Sequence, residues 1–210
     1  MAQVARVQTP VTLPQFASSM RDSMVRLGYG NPSAAAIAVA WSHYDEETGG
    51  GKATWNYNLG NRRWFGGTDP PDYVSLSQAW ECGDSVPDGA TPISSTSCPA
   101  GQVAYIPAGG NYFAAWNSLS DGMDAYLRFL HDHYPEAFAA MIDGQPAGFS
   151  HGLKMRGYYT SDEGVYTSIL QKIFDATIGQ IPSDKGPIFA GVAALGVLLA
   201  WKLARRPLAA

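Results

Sequence analysis

The feature that most constrains this chain is an abrupt change of pattern, in which apolar residues at helical spacing give way to three carboxylates and then three glycines. Ile37, Ala40 and Tyr44 recur at the spacing of one helix face. Glycines 49–51 then end the helix, because glycine readily takes the left-handed conformation found at helix C-termini. This pattern places Glu47 in the last helical turn.

A carboxylate in the last turn meets the negative end of the helix dipole, which disfavours its ionised form. Partly apolar surroundings raise its pKa further. A glycosidase needs such a group, still protonated near neutral pH, as its general acid. The segment therefore predicts polysaccharide cleavage by one of Asp45, Glu46 and Glu47, because residues about 100° apart on a helix cannot all point into one cleft. The alternative is a solvated acidic turn.

Three sequence blocks resemble, in the same order, the bacterial glucosaminidase domains of glycoside hydrolase family 73. The first block is Glu47-Thr48-Gly49-x-Gly51-Lys52, followed by Asn58-x-Gly60-Asn61. The second runs from Tyr112 to Leu127 and ends in Asp124-Ala125-Tyr126-Leu127. The third is Leu153-Lys154-x-x-Gly157-Tyr158-Tyr159-Thr160, followed by Tyr166. The resemblance covers roughly residues 12–178 and implies a lysozyme-like fold.

The resemblance also implies catalytic roles. Glu47 is the expected general acid, because it is the carboxylate that precedes Thr48-Gly49. Glu81 lies at a distance along the chain where the family often places a second carboxylate, which activates water or stabilises oxocarbenium charge. Asp72 and Asp84 are the alternatives to Glu81. Without a second carboxylate, a lone acid suffices when the substrate's own N-acetyl oxygen or 6-hydroxyl attacks the sugar.

The predicted substrate contacts are a phenol, two amides and further aromatic rings. Tyr158 falls where the family places a cleft tyrosine, so it is the third expected catalytic residue, and a core tyrosine is the alternative. The amides of Asn58 and Asn61 can bind N-acetyl groups, although Asn-rich loops also arise simply as turns. The remaining expected sugar contacts are aromatic side chains, namely Tyr57, Trp116 and Tyr159.

The predicted fold class is α+β and mainly α: a lysozyme-like helical domain with a small β insert, plus a C-terminal transmembrane helix. Helices are predicted at 13–27, from a cap at Asn31-Pro32 to the glycines, and at 119–133, 135–142 and 161–178. Strands are predicted at 55–62, 73–81 and 112–116. Two helical lobes with a β insert between them place the cleft between lobe and insert.

The ends of the chain differ from this domain, which we expect to span 12–179. Residues 1–11 form an N-terminal arm without the apolar core or cleavage pattern of a signal peptide. A linker at 180–186 leads to 187–204, and residues 186–201 carry no charge. Sixteen residues span about 24 Å as a helix, close to the ~30 Å hydrocarbon core once flanking residues are added. A transmembrane helix is the favoured interpretation, and a helix buried in an oligomer is the alternative.

The basic tail at 205–210 would lie on the cytoplasmic side, so the domain would face the periplasm. The expected partners are peptidoglycan, a lipid bilayer, and virion proteins or a second copy. A net charge of −4 without a basic run in the body argues against nucleic acid. No metal or cofactor is predicted, since the histidines fit no metal-site spacing and are interpreted as structural: His43, His131, His133 and His151.

Two cysteines, Cys82 and Cys98, bracket a polar loop. Paired, they would staple the loop and indicate an oxidising location such as the periplasm or a virion surface. Two free thiols are the alternative.

The expected function is hydrolysis of the β-1,4 bonds of peptidoglycan, with the N-acetylglucosaminidase subtype favoured by the resemblance alone. A phage or prophage wall-penetrating protein, carried in a virion, is the expected setting, and a bacterial wall-remodelling enzyme is the alternative setting. The alternatives in function are a lytic transglycosylase and a non-catalytic structural or glycan-binding protein of the same fold. The long loop at 83–110 would suit the structural role as a contact surface.

Overall fold

The computed structural model describes residues 2–62, 72–75, 81–83, 85–93, 98, 100–106 and 112–182. The helices in these ranges are α1 (Leu13–Arg26), α2 (Ala34–Thr48), α3 (Leu119–His133), α4 (Pro135–Ile142), α5 (Pro146–Met155) and α6 (Glu163–Thr177), and a 3₁₀ turn at Ile178–Gln180 follows α6. The strands are β1 (Ala2–Gln3), β2 (Asp72–Ser75), β3 (Glu81–Gly83), β4 (Thr91–Ile93), β5 (Val103–Ile106) and β6 (Tyr112–Ala115).

The strands in the described ranges form two small sheets. In the first, β2 pairs in parallel with β1 and antiparallel with β6, and Tyr73 lies opposite Ala114. In the second, β5 lies between β3 and β4 and pairs antiparallel with both. All strands except β1 fall between α2 and α3 in the chain. The described chain is therefore mainly helical α+β with small sheets, which fits the lysozyme-like plan that the sequence predicts.

Helix α2 lies at the centre of the helical core. The side chain of Ser33 caps it by accepting a hydrogen bond from the backbone of Ala36 at 3.0 Å. Every residue from Ala36 to Ala40 is fully buried, so this helix is apolar on all sides rather than on one face. It packs against α1, α4 and α6. A helix held on all sides presents its last turn in a fixed position, which is where Glu47 lies.

The sequence prediction of the helices is largely confirmed. Helices α3 and α4 have the predicted bounds, and α1, α2 and α6 agree within a few residues, although the cap of α2 is Ser33 rather than Asn31. Helix α5 is not predicted by the sequence, because two glycines in ten residues lower the helical propensity. Packing explains one of them: a Cβ atom on Gly152 would lie 2.4 Å from the backbone nitrogen of Ala137 in α4.

The predicted strand at 55–62 is wrong. Trp55 makes only an isolated β-bridge with Gln8, and the residues after it form turns. Asn56, Tyr57 and Asn61 have φ angles of 47°, 54° and 46°, in the left-handed region that a strand excludes. The segment is therefore a loop, and it lies directly beside the end of α2.

The sequence also predicts a transmembrane helix at 187–204, and this part of the predicted fold class is corrected. Within the described ranges, no helix is long and apolar enough to cross a membrane. The longest of them, α2, α3 and α6, have 15 residues each, and such a helix spans about 22 Å of the ~30 Å hydrocarbon core. Residues 187–204 themselves lie outside the described residues.

The N-terminal arm lies along the loop that follows α2. The backbone of Asn56 donates to Val7 at 2.8 Å, and that of Thr9 donates to Thr54 at 3.0 Å. The hydroxyl of Thr9 accepts a hydrogen bond from the backbone of Tyr57 at 2.7 Å. The arm therefore holds two of the three left-handed residues of this loop.

Close packing of α3 on this loop gives a prediction. A Cβ atom on Gly122, in the first turn of α3, would lie 2.2 Å from the carbonyl oxygen of Tyr57. We expect Gly122→Ala to lower the free energy of unfolding by about 2 kcal/mol, because backbone has to move to admit the methyl group. Gly179→Ala is the control, since nothing lies within 4 Å of its Cβ position. Urea unfolding of both variants checks this, and equal losses would contradict the proposed clash.

Candidate functional site

The site is built around Glu47 in the last turn of α2. Gly49, Gly50 and Gly51 follow with φ angles of 58°, 71° and 80°, so the chain reverses through left-handed conformations that glycine adopts without steric cost. The reversal brings the next loop back over the helix end, where the side-chain amide of Asn61 donates a hydrogen bond to the Glu47 carbonyl oxygen. The helix end and the loop at 58–61 thus form one wall of the site.

The Glu47 carboxyl group is held by side chains from two helices. Its Oε1 accepts a hydrogen bond from the hydroxyl of Tyr166, in α6, at 2.8 Å. The same oxygen lies 3.8 Å from Nε2 of His43, one turn earlier in α2. The side chain is 21% exposed. Glu47 is therefore mostly desolvated but still reachable from solvent.

Burial decides the protonation state of Glu47. Burial raises the pKa of the carboxyl group, the hydrogen bond from Tyr166 lowers it in part, and the charge of Glu46 raises it slightly; together these effects bring the pKa to about 7. Burial also raises the pKa of Asp45 and of Glu46. Of the three carboxylates, Glu47 has the pKa raised to near neutrality, so it is the one that can carry a proton at physiological pH and release it.

Three phenols surround the carboxyl group. Tyr126 and Tyr166 are 4% and 6% exposed, and Tyr158 is half-buried. Burial raises the pKa of each phenol, and the negative charge of Glu47 raises it further. All three therefore stay protonated at neutral pH and act as hydrogen-bond donors. The hydroxyl of Tyr158 donates to the carbonyl of Gly60 at 2.9 Å, so in this structure it fixes the loop beside Glu47.

His43 lies beneath the carboxyl group and is 1% exposed. Its Nδ1 is 2.9 Å from the hydroxyl of Tyr126, and its ring packs edge-on against Phe149 and Tyr158, with centroids 5.2 Å and 5.0 Å away. Burial lowers the pKa of His43 to about 3. The imidazole is therefore neutral at physiological pH, and its contact with Glu47 is not an ion pair.

The predicted sugar-binding residues of the loop take part in its own structure. Asn58 is 2% exposed, and its amide both donates to the Arg62 carbonyl and accepts from the Arg62 backbone, each at 2.8 Å. Asn61 binds the helix end as described. Tyr57 is half-buried against the N-terminal arm and α3. In the described structure these three residues shape the wall of the site.

The other predicted aromatic contacts are Trp116 and Tyr159. Trp116 is 9% exposed and lines a surface groove of about 380 Å³ together with Asp121 and Arg128. Tyr159 is stacked on Tyr166, with ring centroids 4.0 Å apart. Tyr159 thereby supports the phenol that binds Glu47.

Two further predictions concern the β insert. Glu81 is the first residue of β3 and pairs with Tyr105 of β5, and its side chain lies outside the described residues, so its role as second carboxylate stays a prediction. Cys98 is disulfide-bonded, and Cys82 is the other cysteine of the chain.

Within the ranges described above, no group of three or more His, Cys, Asp or Glu could hold a metal ion.

Two residues that contact Glu47 are not among the site residues predicted from the sequence. Tyr166 ends the third block of the resemblance, so its place in the motif was a signal that it belongs to the site. His43 stands four residues before Glu47, which puts the two side chains on one helix face. That spacing was the available signal for His43, which the sequence analysis interpreted as structural because the histidines fit no metal-site spacing.

Comparison with known proteins gives structural likenesses only. No protein-family model matches the chain, and no curated protein does. The structure is similar to the glycoside hydrolase domain of FlgJ from Salmonella typhimurium, at 13% identity and a TM-score of 0.44, over 92% of this chain and 96% of that one. It is also similar to the catalytic domain of the autolysin Auto from Listeria monocytogenes, at 16% identity and a TM-score of 0.45, over 84% of this chain and 90% of that one.

The raised pKa of Glu47 predicts a pH-dependent stability. Between pH 4.5 and about 7 the folded chain keeps the proton that the unfolded chain loses, so the free energy of unfolding falls as the pH rises through this window. The full difference amounts to roughly 3 kcal/mol. We expect Glu47→Gln to match the wild type at pH 4 and to be more stable by about 1–3 kcal/mol at pH 8.

Urea unfolding at both pH values measures this difference. Glu46→Gln is the matched control, because the pKa of Glu46 is raised less than that of Glu47. A stability gain in Glu47→Gln that is the same at pH 4 and pH 8 would show that the carboxyl group is not held protonated by the fold.

Proposed function

We propose that this chain is a peptidoglycan hydrolase that cleaves β-1,4 glycosidic bonds of the glycan strand, with Glu47 as its general acid. The observation that carries the proposal is the Glu47 carboxyl group, which is desolvated enough to have a pKa of about 7 and yet is 21% exposed. A glycosidase needs a carboxyl group in this state. The three sequence blocks that resemble family 73 supply the substrate class and favour the N-acetylglucosaminidase subtype.

In the proposed reaction, protonated Glu47 donates to the glycosidic oxygen as the bond to the sugar breaks. Negative charge then develops on the carboxyl group, where the Tyr166 hydroxyl already donates to Oε1 at 2.8 Å. This hydrogen bond strengthens as the oxygen becomes charged, so it stabilises the transition state more than the ground state. Tyr166 therefore eases the release of the proton.

The group that acts on the other face of the sugar is proposed to be Glu81 or the substrate itself. The side chains described in contact with the Glu47 carboxyl group are a phenol and an imidazole, from Tyr166 and His43. A lone acid suffices where the N-acetyl oxygen of the substrate attacks the sugar, or where its 6-hydroxyl attacks, as in lytic transglycosylases. The phage or prophage setting stays a prediction from the sequence, with a bacterial wall-remodelling enzyme as the alternative.

Digestion of purified peptidoglycan by the full chain tests the proposal. We expect Glu47→Gln to release fragments at least about 10²–10⁴-fold more slowly than the wild type, because the amide cannot donate the proton. Asp45→Asn and Glu46→Gln are the matched controls and are expected to stay within roughly threefold, since neither carboxylate is the acid.

Mass spectrometry of the fragments identifies the reaction. N-acetylglucosamine at the new reducing ends supports the glucosaminidase, and N-acetylmuramic acid there would make the enzyme a muramidase. Anhydro-muramic ends would make it a lytic transglycosylase. A folded wild-type chain that releases no fragments would contradict the proposed activity and favour a non-catalytic role for the fold.

The pKa of Glu47 also predicts the alkaline limb of the activity. The acid has to be protonated in the free enzyme, so kcat/KM should fall about tenfold for each pH unit above about 7. Initial rates of fragment release between pH 5 and 9 measure this profile. A plateau that extends past pH 8 would be inconsistent with an acid of this pKa.

A further inference from the structure

The Nε2 atom of His43 is a buried polar atom with no hydrogen-bond partner in the described part of the chain. Buried polar atoms are almost always paired in folded proteins, so an unpaired one calls for an explanation. This atom lies 3.8 Å from Oε1 of Glu47. The unpaired nitrogen thus lies beside the group that changes charge in the proposed reaction.

The partner of the other ring nitrogen indicates which nitrogen carries the proton. Nδ1 of His43 is 2.9 Å from the hydroxyl of Tyr126, whereas the second acceptor near that hydroxyl, the carbonyl of Ala40, is 3.5 Å away. Donation to Nδ1 at 2.9 Å gives the hydroxyl the shorter and stronger of its two possible hydrogen bonds, and the tautomer is assigned on that basis. A neutral imidazole whose Nδ1 accepts a hydrogen bond carries its proton on Nε2. The Nε2–H group therefore lies next to Glu47.

We propose that His43 is a positioning residue for the acid: its Nε2–H donates a hydrogen bond to the Glu47 carboxylate once Glu47 has released its proton. The proposal rests on the proposed role of Glu47 as general acid. The chain of donors runs from the Tyr126 hydroxyl to His43 and from His43 to Glu47. The histidine would then act with Tyr166, which already donates to the same oxygen.

The geometry determines which partner moves. A separation of 3.8 Å is too long for a hydrogen bond. The His43 ring cannot shift easily, because Phe149, Tyr158 and Tyr126 pack around it. The Glu47 side chain is 21% exposed, so it is the less tightly packed partner and the one that has to move the short distance toward the ring. The hydrogen bond from Nε2 to Glu47 is therefore absent while Glu47 is neutral, and it forms when the ionised carboxylate moves toward the ring.

The neutrality of the imidazole matters for this role. Burial lowers the pKa of His43 to about 3, so it brings no positive charge to Glu47. A cationic partner would hold Glu47 ionised in the resting enzyme and remove its proton. A neutral donor stabilises the carboxylate more weakly and leaves the acid protonated near pH 7. The other titratable groups that face Glu47 come from α2, α3, the turn after α5, and α6: Glu46, Tyr126, Tyr158 and Tyr166.

The experiment is a ¹³C-carboxyl NMR titration of Glu47 in the full chain, without substrate, with Glu47→Gln used to assign the signal. Loss of a donor to the charged form should raise the pKa. We expect His43→Phe to raise the apparent pKa of Glu47 by about half a pH unit or more, a threefold or larger change in the acid constant. His43→Gln keeps a side-chain N–H donor and should restore most of the wild-type pKa.

Tyr126→Phe tests the same chain of donors if His43→Phe does not fold. It removes only the hydroxyl that fixes the tautomer, so the pKa of Glu47 should move upward as in His43→Phe. In the double variant the two effects should not add, because both act through one Nε2–H group. In kinetics, His43→Phe should lower kcat about tenfold at an unchanged KM, since the lost contact forms only as the proton leaves.

A purely structural His43 would give a different result. His43→Phe would then lower the melting temperature while the pKa of Glu47 stayed at the wild-type value, and that result would overturn the proposal. So would a pKa that His43→Gln fails to restore. The titration uses no substrate, so an enzyme that releases no peptidoglycan fragments would contradict the proposed function without bearing on this contact.

Discussion

The hydrogen bond from Tyr166 to Glu47 is the interaction on which the rest of the site depends. It joins α6 to the last turn of α2 across 119 residues of sequence, so it forms only when the helical core is assembled. Its acceptor lies at the end of a helix that is fully buried from Ala36 to Ala40, and its donor is stacked on Tyr159. The carboxyl group is thus held by the packing of the whole helical domain rather than by its own turn.

Two effects act on that carboxyl group in opposite directions, and their relative size determines what it can do. Burial disfavours the charged form, while the Tyr166 hydroxyl favours it. Burial is the larger effect, so the pKa ends near 7 instead of falling below its ordinary value. Had the hydrogen bond prevailed, Glu47 would be a permanent carboxylate with no proton to give. The balance leaves an acid whose charged form already has a donor in place.

Periodicity and capping predict the helices, because these signals are local. The bounds of α3 and α4 follow from Leu119–His133 and Pro135–Ile142, where apolar spacing, a cap and a proline agree. Helix α5 forms although its glycines lower the local helical propensity, because Gly152 permits close contact with α4. The loop at 55–62 misleads in the opposite sense: its aromatic residues resemble a strand, but the distant N-terminal arm holds Asn56 and Tyr57 in left-handed conformations.

The same difference between local signals and tertiary packing explains how much of the site the sequence predicts. The position between an apolar helix and a glycine turn narrows the acid to three adjacent carboxylates, and the resemblance selects Glu47 among them. Its exposure, its pKa and its contact with Tyr166 depend on tertiary packing and cannot be derived from spacing. The amide of Asn58 shows what spacing leaves undetermined: its place in the motif suggested ligand binding, and in the structure its hydrogen bonds close its own loop.

A desolvated acid in the core has a consequence for the rest of the domain. At neutral pH the ionised form of Glu47 weakens the fold, so other contacts must keep the end of α2 and its loop in place. The N-terminal arm contributes such contacts, since Val7 and Thr9 bind the loop from outside. Tyr158 does so from inside by donating to Gly60. The loop is thus bound by the arm and by Tyr158. It therefore stays packed over the end of α2, and the Glu47 carboxyl group stays buried. The contacts of the loop therefore offset the free energy of unfolding that is lost by burying an acid with a pKa near 7.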